Sequence, residues 1–538
     1  MAETSTTIDG FSYDARQQPS GAVERARHPK SERRFLPVSS AERLTSLTIW
    51  ICLLFMPILF GSVHNRTEVS FQLLVLGAFF YCLAKERKAI FDLLTNCKYT
   101  QKVFGLLIFF LIYSAAQYLF LKTQKVPHPI LGMVSGAYNT EAFFRSFKAT
   151  LFFTASFLLI CYYLQRAKSN INALIARGLW CFALVGAVGL MHWLYDNGKL
   201  FWVFAPDFAE PSTRARWPFV SPNNFGHFTL LGVFLCIGVF INQLRAILIA
   251  IRDEPMSVSS YVASSSFQRS VFRLALFGLG MIVLGSGLLG SLSRGSWLGG
   301  SLGLIFFLVC GTLITEVTQP DSTPDNLRHL HDYSRRKRHP SRFRRLLQSS
   351  FVSSTIRHSR MLVLLASFLL IYMFLSDRGA ELLTERLDYG LLSSKYDMRW
   401  QLFSDTLQMI SDHTFWGVGL GAWASAYPPY MNSLLAGINP IYLHSDPLQL
   451  LAEVGAVGFL PMFVLVLITC THAIRYLRSY VTHEDKVLVL SLSSALFALC
   501  VASFLDFPFK IPAISFYVAF LLAILASKLD GRISEHRN

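Results

Sequence analysis

The sequence predicts an all-α, polytopic membrane protein with about twelve transmembrane helices and a large outer loop between spans 9 and 10. Of its 538 residues, 53% are hydrophobic and only 15% are charged, whereas a typical soluble domain carries about 25% charged residues. Apolar stretches recur along the whole chain, and a bilayer core about 30 Å thick is crossed by roughly 20 apolar helical residues. The composition excludes a disordered chain, a coiled coil and a small disulfide scaffold, and it argues against an ordinary cytosolic enzyme.

Twelve stretches are apolar enough to be read as spans, although spans 2 and 9 are short and Pro57, Gly278 and Pro461 interrupt others. The predicted spans are 44–61, 69–84, 103–121, 147–165, 174–194, 225–242, 271–290, 297–315, 361–376, 448–470, 487–505 and 511–527. Polar residues precede the first span and no small-residue cleavage site follows it, so we expect no cleavable signal peptide.

The remaining segments complete the predicted organisation. The divisions are a basic, disordered tail over 1–43, spans 1–8 over 44–315, a basic loop over 316–360, span 9 over 361–376, the large outer loop over 377–447, spans 10–12 over 448–527, and a tail over 528–538. With both termini in the cytoplasm, the inner segments hold more than twice as many Lys and Arg residues as the outer ones. The positive-inside rule therefore predicts that both termini are cytoplasmic.

The positive charge and the positions of the cysteines limit the classes of partner and metal site that can be expected. The formal net charge is +16, and a basic run lies at 335–345 in the cytoplasmic loop. For a loop tethered between two spans, attraction to anionic lipid is favoured over binding to nucleic acid. The bilayer is therefore an expected partner and nucleic acid is not. The nine cysteines lie in or beside spans or, for Cys97, in a cytoplasmic loop, which predicts neither a disulfide framework nor a zinc site.

The sequence lacks the short motifs that are typical of several classes of cofactor-dependent and metal-dependent enzyme. There is no phosphate-binding Gly-x-x-x-x-Gly-Lys-Ser/Thr loop, no His-Glu-x-x-His and no Asp-x-Asp pair. The glycines over 417–421 lack the spacing of a dinucleotide fingerprint and are interpreted as a tight turn in the outer loop. We therefore expect an activity on the outer face that needs no cofactor and no metal.

Polar residues collect at three outer points, which are 214–224 before span 6, 293–297 between spans 7 and 8, and 444–455 at the start of span 10. Ser221 is a good N-cap for a helix that begins at Pro222, and Asp446 for one that continues with Pro447. Gln449 is placed to reach back as in a capping box. Helix starts expose free N–H groups that favour phosphate, so these points are candidate anion-binding sites.

Three side chains at these points suit a reaction on a phosphate-linked substrate. Arg216 and Arg294 could fork onto phosphate oxygens, which the planar guanidinium binds in pairs. His444 could transfer a proton near neutral pH. The alternatives are structural: Arg294 as an interfacial anchor, Arg216 as the partner of an acid, His444 as a hydrogen-bonded histidine, and Asp446 as a cap only.

The motifs together resemble the O-antigen ligase and polymerase family of membrane glycosyltransferases. The resemblance rests on Ser-Arg-Gly-Ser-Trp at 293–297, on His-Ser-Asp-Pro-Leu-Gln-Leu-Leu-Ala-Glu-Val-Gly at 444–455, on Arg-Trp at 399–400 with the glycines at 417–421, and on Trp-Pro-Phe-Val-Ser-Pro-Asn-Asn at 217–224. It covers roughly residues 200–465, and Ser445 stands where the commoner form of the histidine motif has asparagine.

The resemblance implies a multi-pass enzyme of the bacterial inner membrane with a periplasmic loop over 377–447. It implies a glycan donor linked to undecaprenyl pyrophosphate and, as acceptor, lipid A–core in lipopolysaccharide synthesis or another glycan. By motif it implies His444 as the catalytic residue. The implied substrate-binding residues are Arg216, Arg294, Arg399, Asn223, Asn224 and Asp446.

Two alternatives to O-antigen ligase stay open at this point. A polymerase of lipid-linked repeats, in O-antigen or exopolysaccharide synthesis, would use the same donor, and the basic cytoplasmic loop could then contact other polysaccharide assembly proteins. A lipid-linked oligosaccharide flippase would concentrate charged residues near the middle of the membrane. Here the charges gather at the outer ends of the spans, which favours an enzyme over a transporter, and we expect this enzyme to carry out metal-independent, inverting glycosyl transfer.

Overall fold

The computed structural model describes residues 39–123, 125–128, 132–135, 139–166, 171–195, 197, 199–204, 214–253, 264–314, 398–432 and 439–535. Over these residues the fold is all-α apart from one small antiparallel hairpin, in which β1 Lys125–His128 pairs with β2 Gly132–Ser135. The predicted tail over 1–38, the basic loop, span 9 and the first part of the outer loop lie outside the described residues. The predicted fold class, an all-α polytopic membrane protein, is confirmed.

Eleven helices of the described residues are long and apolar enough to span a membrane. They correspond one to one with the predicted spans other than span 9. The helices are α1 Ser40–Ile58, α2 Asn65–Lys85, α3 Arg87–Asn96, α4 Lys98–Thr123, α5 Thr140–Arg166, α6 Ile171–Leu194, α7 Pro222–Asp253, α8 Ser265–Gly290, α9 Arg294–Gly311, α10 Met398–Asp412, α11 Trp423–Ala426, α12 Asp446–Leu477, α13 His483–Ala502 and α14 Pro512–Glu535. All except α3, α10 and α11 are candidate spans.

Helices α13 and α14 form the centre of the bundle. In the apolar window of α14, 83% of residues are buried inside the protein, and 72% in that of α13, against 11% in that of α8. Close packing at α13 depends on small residues, because a Cβ at Gly299 of α9 would lie 2.3 Å from the Ala498 carbonyl oxygen. Small residues at such contacts allow two membrane helices to approach each other's backbone.

The described ends of the segments that were predicted to be outer lie together at one end of the bundle. Ala215 N–H donates to the Gly290 carbonyl at 2.9 Å, and Asp446 N–H donates to the Ser503 carbonyl at 3.0 Å. These contacts join the ends of four spans that the sequence assigns to the same side. The three polar points of the sequence therefore belong to one end of the molecule.

Helix α12 is broken near this end. Gly455 has φ 64° and ψ −177°, a conformation that interrupts the helix between Val454 and Ala456. The free carbonyls of Ala452 and Glu453 accept from Val418 N–H at 3.0 Å and Gly419 N–H at 2.8 Å. A broken spanning helix is tolerated where neighbouring protein satisfies its freed backbone groups, and the loop at 417–421 does this on the carbonyl side.

The same loop explains the glycines at 417, 419 and 421, which all have positive φ. A Cβ at Gly417 would lie 2.4 Å from the Glu453 carbonyl oxygen, and one at Gly421 would lie 2.5 Å from the Ala142 oxygen. The predicted tight turn is therefore confirmed, and its added role is to fill the break in α12.

Replacing Gly455 with alanine is expected to destabilise the protein by about 3 kcal/mol or more, in the range of severe backbone and packing strain. The new Cβ would lie 2.3 Å from the Phe415 carbonyl oxygen, at a positive φ. Thermal unfolding in detergent measures the change. Gly77→Ala is the matched control, because a Cβ at Gly77 has nothing within 4 Å, and equal melting temperatures for the two variants would contradict this explanation of the break.

Candidate active site

His444 lies directly before α12 in a conformation that is unusual for a residue with a side chain. Its φ is +63°, in the left-handed region that non-glycine residues seldom occupy and that is frequent at functional sites. Its side chain is 35% exposed, and its ring makes an edge contact with Phe507, with centroids 4.9 Å apart. The backbone thus holds the imidazole at the surface of the outer end.

A buried carboxylate, Asp506, stands behind His444. Its Oδ1 lies 3.6 Å from His444 Nδ1, and its Oδ2 lies 3.4 Å from His227 Nε2. These are ion-pair distances, slightly longer than a well-formed hydrogen bond. Burial raises the pKa of the Asp506 carboxyl, but the two imidazoles and the charge of Arg399 outweigh burial and hold this pKa well below its usual range.

A polar chain continues from Asp506 into the protein. His227, in the second turn of α7, is fully buried and its Nδ1 lies 2.8 Å from Ser296 Oγ. The Ser296 hydroxyl donates to Ser293 Oγ at 2.9 Å, and Ser293 caps α9 by accepting from Ser296 N–H at 3.3 Å. The chain therefore connects His444 with the start of the helix that carries Arg294.

Arg294 is the first residue of α9 and is exposed. Its neighbour Gly295 packs on the turn after α13, because a Cβ there would lie 3.2 Å from the Ala502 oxygen and 3.8 Å from His227 Cε1. Arg294 thus stands at a helix start on the edge of the histidine–aspartate cluster, a position that suits an anion. The structure places it beside the cluster without giving a direct contact to His444.

Arg399 is brought to the same cluster by α10. Its Nη1 donates to the Leu505 carbonyl at 3.3 Å, one residue before Asp506, and its charge lowers the pKa of that carboxyl. Residue 399 therefore belongs to the outer site.

Arg214 and Arg216 have different surroundings, which bears on the choice between them. Arg214 Nε donates to the Ser291 carbonyl at 2.7 Å, and its Nη2 donates to Asn223 Oδ1 at 2.6 Å. Arg214 thus ties the segment before α7 to the turn after α8. Arg216 is buried and its guanidinium stacks over the Trp217 ring at 4.5 Å. The sequence-based choice of Arg216 as the substrate-binding residue stays a prediction.

The two asparagines of this segment also have different surroundings. Asn223 N–H donates to Ser221 Oγ at 3.3 Å, in agreement with the predicted helix start at Pro222. Asn223 Oδ1 accepts from Arg214, so its role in the structure is to hold that arginine. Asn224 is buried, and its Oδ1 has no hydrogen-bond partner in the described structure, which leaves that acceptor as a candidate for a substrate donor.

The prediction that Asp446 is the N-cap of this helix is wrong. The N-cap is Ser445, one residue earlier, and Asp446 is the first helical residue. Its carboxylate accepts instead from Phe509 N–H at 2.8 Å, across the turn that carries Asp506. Gln449 reaches back as expected, but to Leu443 N–H at 3.2 Å. Asp446 therefore joins two segments of the site, because the tertiary contact with the 506–510 turn outcompetes the local cap.

A second buried acid escaped the sequence analysis. Glu453 is fully buried beside the break in α12, where its oxygens accept from Gln449 Nε2 at 2.8 Å and Gly421 N–H at 2.9 Å. Lys510 Nζ lies 3.8 Å from Glu453 Oε2. These contacts hold the broken helix against the glycine loop.

Asp506 and His227 were also missed. Asp506 lies in a short connection between the last two spans and His227 lies within an apolar run, so neither belongs to an outer polar cluster. The sequence feature that could have revealed Asp506 was an acidic residue in the connection between two spans, and the fold brings these spans next to the histidine motif. Among described residues, no three or more His, Cys, Asp or Glu side chains form a group able to hold a metal, and metal independence stays a prediction.

One comparison with known proteins bears on the family. Residues 333–463 match the family model described as O-antigen ligase, a stretch that includes Arg399, the glycine loop, His444 and Asp446. Arg216, Asn223, Asn224, His227, Arg294 and Asp506 lie outside that stretch. The sequence shows no significant match to a curated protein. The match agrees with the resemblance found in the motifs: residues 333–463 of this polytopic membrane protein are similar to the O-antigen ligase domain.

Proposed function

We propose that this protein transfers a glycan from undecaprenyl pyrophosphate to lipid A–core on the periplasmic face of the inner membrane. The observation that carries the proposal is the convergence of His444, Asp506 and Arg399 at one end of the spans, in a chain with the O-antigen ligase domain. Both termini are then cytoplasmic, and the donor's polyprenyl tail lies in the bilayer beside the helices.

His444 acts as the general base in this proposal. Its Nδ1 is turned towards Asp506, so Nε2 is the nitrogen left for the acceptor, as in other histidines that are oriented by a carboxylate. As the acceptor hydroxyl gives its proton to Nε2, its oxygen forms a bond to the anomeric carbon. The bond from that carbon to the pyrophosphate oxygen breaks, and undecaprenyl pyrophosphate leaves with the electron pair. Attack from the opposite face inverts the anomeric centre.

The arginines bind the leaving group. Arg294 at the start of α9, Arg399 on α10 and Arg216 on the segment before α7 supply positive charge from three separate elements. Charge develops on the pyrophosphate as the glycosidic bond breaks, and preoriented donors stabilise it without reorganisation. Asn223 positions its neighbour Arg214, and Asn224 offers a buried acceptor to a sugar hydroxyl. No metal is needed in this scheme.

Deleting the gene is expected to leave lipid A–core without its glycan while full-length chains accumulate on the polyprenyl carrier. Electrophoresis of lipopolysaccharide and extraction of the carrier lipids measure the two pools. A polymerase would use the same donor and the same residues, but its deletion would leave single repeats on the acceptor, or remove a secreted polysaccharide while lipopolysaccharide stays unchanged. Either of these patterns would overturn the ligase assignment and leave the family assignment in place.

A further inference from the structure

His227 is fully buried and lies on the far side of Asp506 from His444. Its side chain is 0% exposed, and its two ring nitrogens face Asp506 Oδ2 at 3.4 Å and Ser296 Oγ at 2.8 Å. Asp506 is thus shared by two imidazoles, one at the surface and one in the interior. The general-base scheme uses only the imidazole at the surface.

The Asp506 carboxylate indicates which ring nitrogen of His227 carries a proton. A lone pair on Nε2 would face Oδ2 at 3.4 Å in a buried site, which is strongly unfavourable. Nε2 is therefore the nitrogen that carries a proton towards Asp506. Nδ1 meets the Ser296 hydroxyl at 2.8 Å.

We infer that His227 is a positioning residue that directs a proton from Nε2 at Asp506 and so limits the negative charge that His444 faces. The inference rests on the proposed function. Asp506 is faced by His227 from α7, by His444 from the segment before α12, and by Arg399 from α10. Asp446 of α12 lies beside it, since the Asp446 N–H donates to the Asp506 carbonyl at 3.1 Å.

The consequence concerns the protonation of the base. A proton directed from His227 Nε2 at Oδ2 offsets part of the charge of the Asp506 carboxylate. Without that proton, the carboxylate would present its full charge to the surface imidazole, and an opposite charge within about 4–6 Å favours the protonated form of a histidine. A protonated His444 cannot accept a proton from the acceptor, so the enzyme would need a higher pH to reach the same rate.

The test compares pH–rate profiles of full-length His227→Ala, His227→Gln and wild type in a reconstituted transfer assay. Alanine removes the donor to Asp506, so we expect the acidic limb of the profile to move to higher pH by about one unit or more, with most of the rate regained at alkaline pH. Glutamine can still donate to Asp506, and its profile should lie closer to that of the wild type.

Two further variants distinguish the loss of a shared proton from a general disturbance of the fold. His192→Ala changes another buried histidine, which accepts from Phe201 N–H at 2.6 Å at the end of α6, and its profile should match wild type. A lower plateau with an unmoved acidic limb in His227→Ala would show a merely structural role and overturn the inference. If His444→Ala retains activity, the general-base proposal itself fails. An inactive His444→Ala together with an unmoved limb in His227→Ala refutes only the role of His227.

Discussion

Replacing His444 with alanine is expected to reduce glycan transfer by about 10²- to 10⁴-fold, the range for removal of a general base. The residue precedes α12 and its side chain is partly exposed, so the protein should insert and fold normally. In the wild type, turnover should fall on the acidic side of the pH–rate profile, because a protonated ring cannot accept the acceptor's proton. Product formation with purified protein measures both effects.

His413→Ala provides the matched control for this variant. His413 lies in the same outer segment, one residue after α10, and is half-buried, and no role in transfer is assigned to it. Its replacement should leave the rate near that of the wild type. Near-normal activity of His444→Ala, at equal amounts of folded protein, would exclude the general-base role.

Replacing Arg294 with lysine is expected to lower the rate of glycan transfer strongly. The loss should approach about 10²- to 10³-fold, which is the usual effect of removing one oriented donor to a developing negative charge. Lysine keeps the positive charge but loses the planar fork that binds two phosphate oxygens together. Arg294 is exposed at the first position of α9, so the substitution should not disturb packing. Initial rates over a range of donor concentrations measure the effect.

Arg269→Lys is the control, because Arg269 is exposed near the start of the preceding helix α8 and its guanidinium donates to the carbonyl of Ser265 in the same helix at 3.1 Å. An interfacial anchor tolerates lysine. If Arg294→Lys transferred glycan at the wild-type rate, the result would favour the interpretation of Arg294 as an interfacial anchor.

The sequence was sufficient for the spans because membrane crossing depends on a local property, the length of an apolar run. All eleven spanning helices of the described residues coincide with predicted spans, and most extend beyond them by several residues. The extensions are polar end turns, for example at Lys98–Thr123 and Asp446–Leu477, which a hydropathy pattern does not include. The break at Gly455 was not predicted, because it depends on a loop that packs from elsewhere in the chain.

The site was only partly predictable for the same reason. His444 and Arg294 could be proposed from outer polar motifs, whereas Asp506 and His227 gain their significance from the fold, which brings the two histidines to opposite sides of the Asp506 carboxylate. The cap expected at Asp446 was wrong because Phe509 N–H, distant in sequence, binds its carboxylate. Pairings between residues on different helices leave no periodic signal in one sequence.

Transfer of a glycan from a polyprenyl pyrophosphate to lipid A–core by the His444 site can be measured directly with purified components. The assay combines the full-length chain with undecaprenyl-pyrophosphate-linked glycan and lipid A–core in the presence of EDTA. We expect glycan-bearing lipid A–core and free undecaprenyl pyrophosphate to form in equal amounts with the wild type, and both to be lost with His444→Ala. Longer lipid-linked glycans with no change in lipid A–core, or the same yield from His444→Ala, would contradict the proposed transfer.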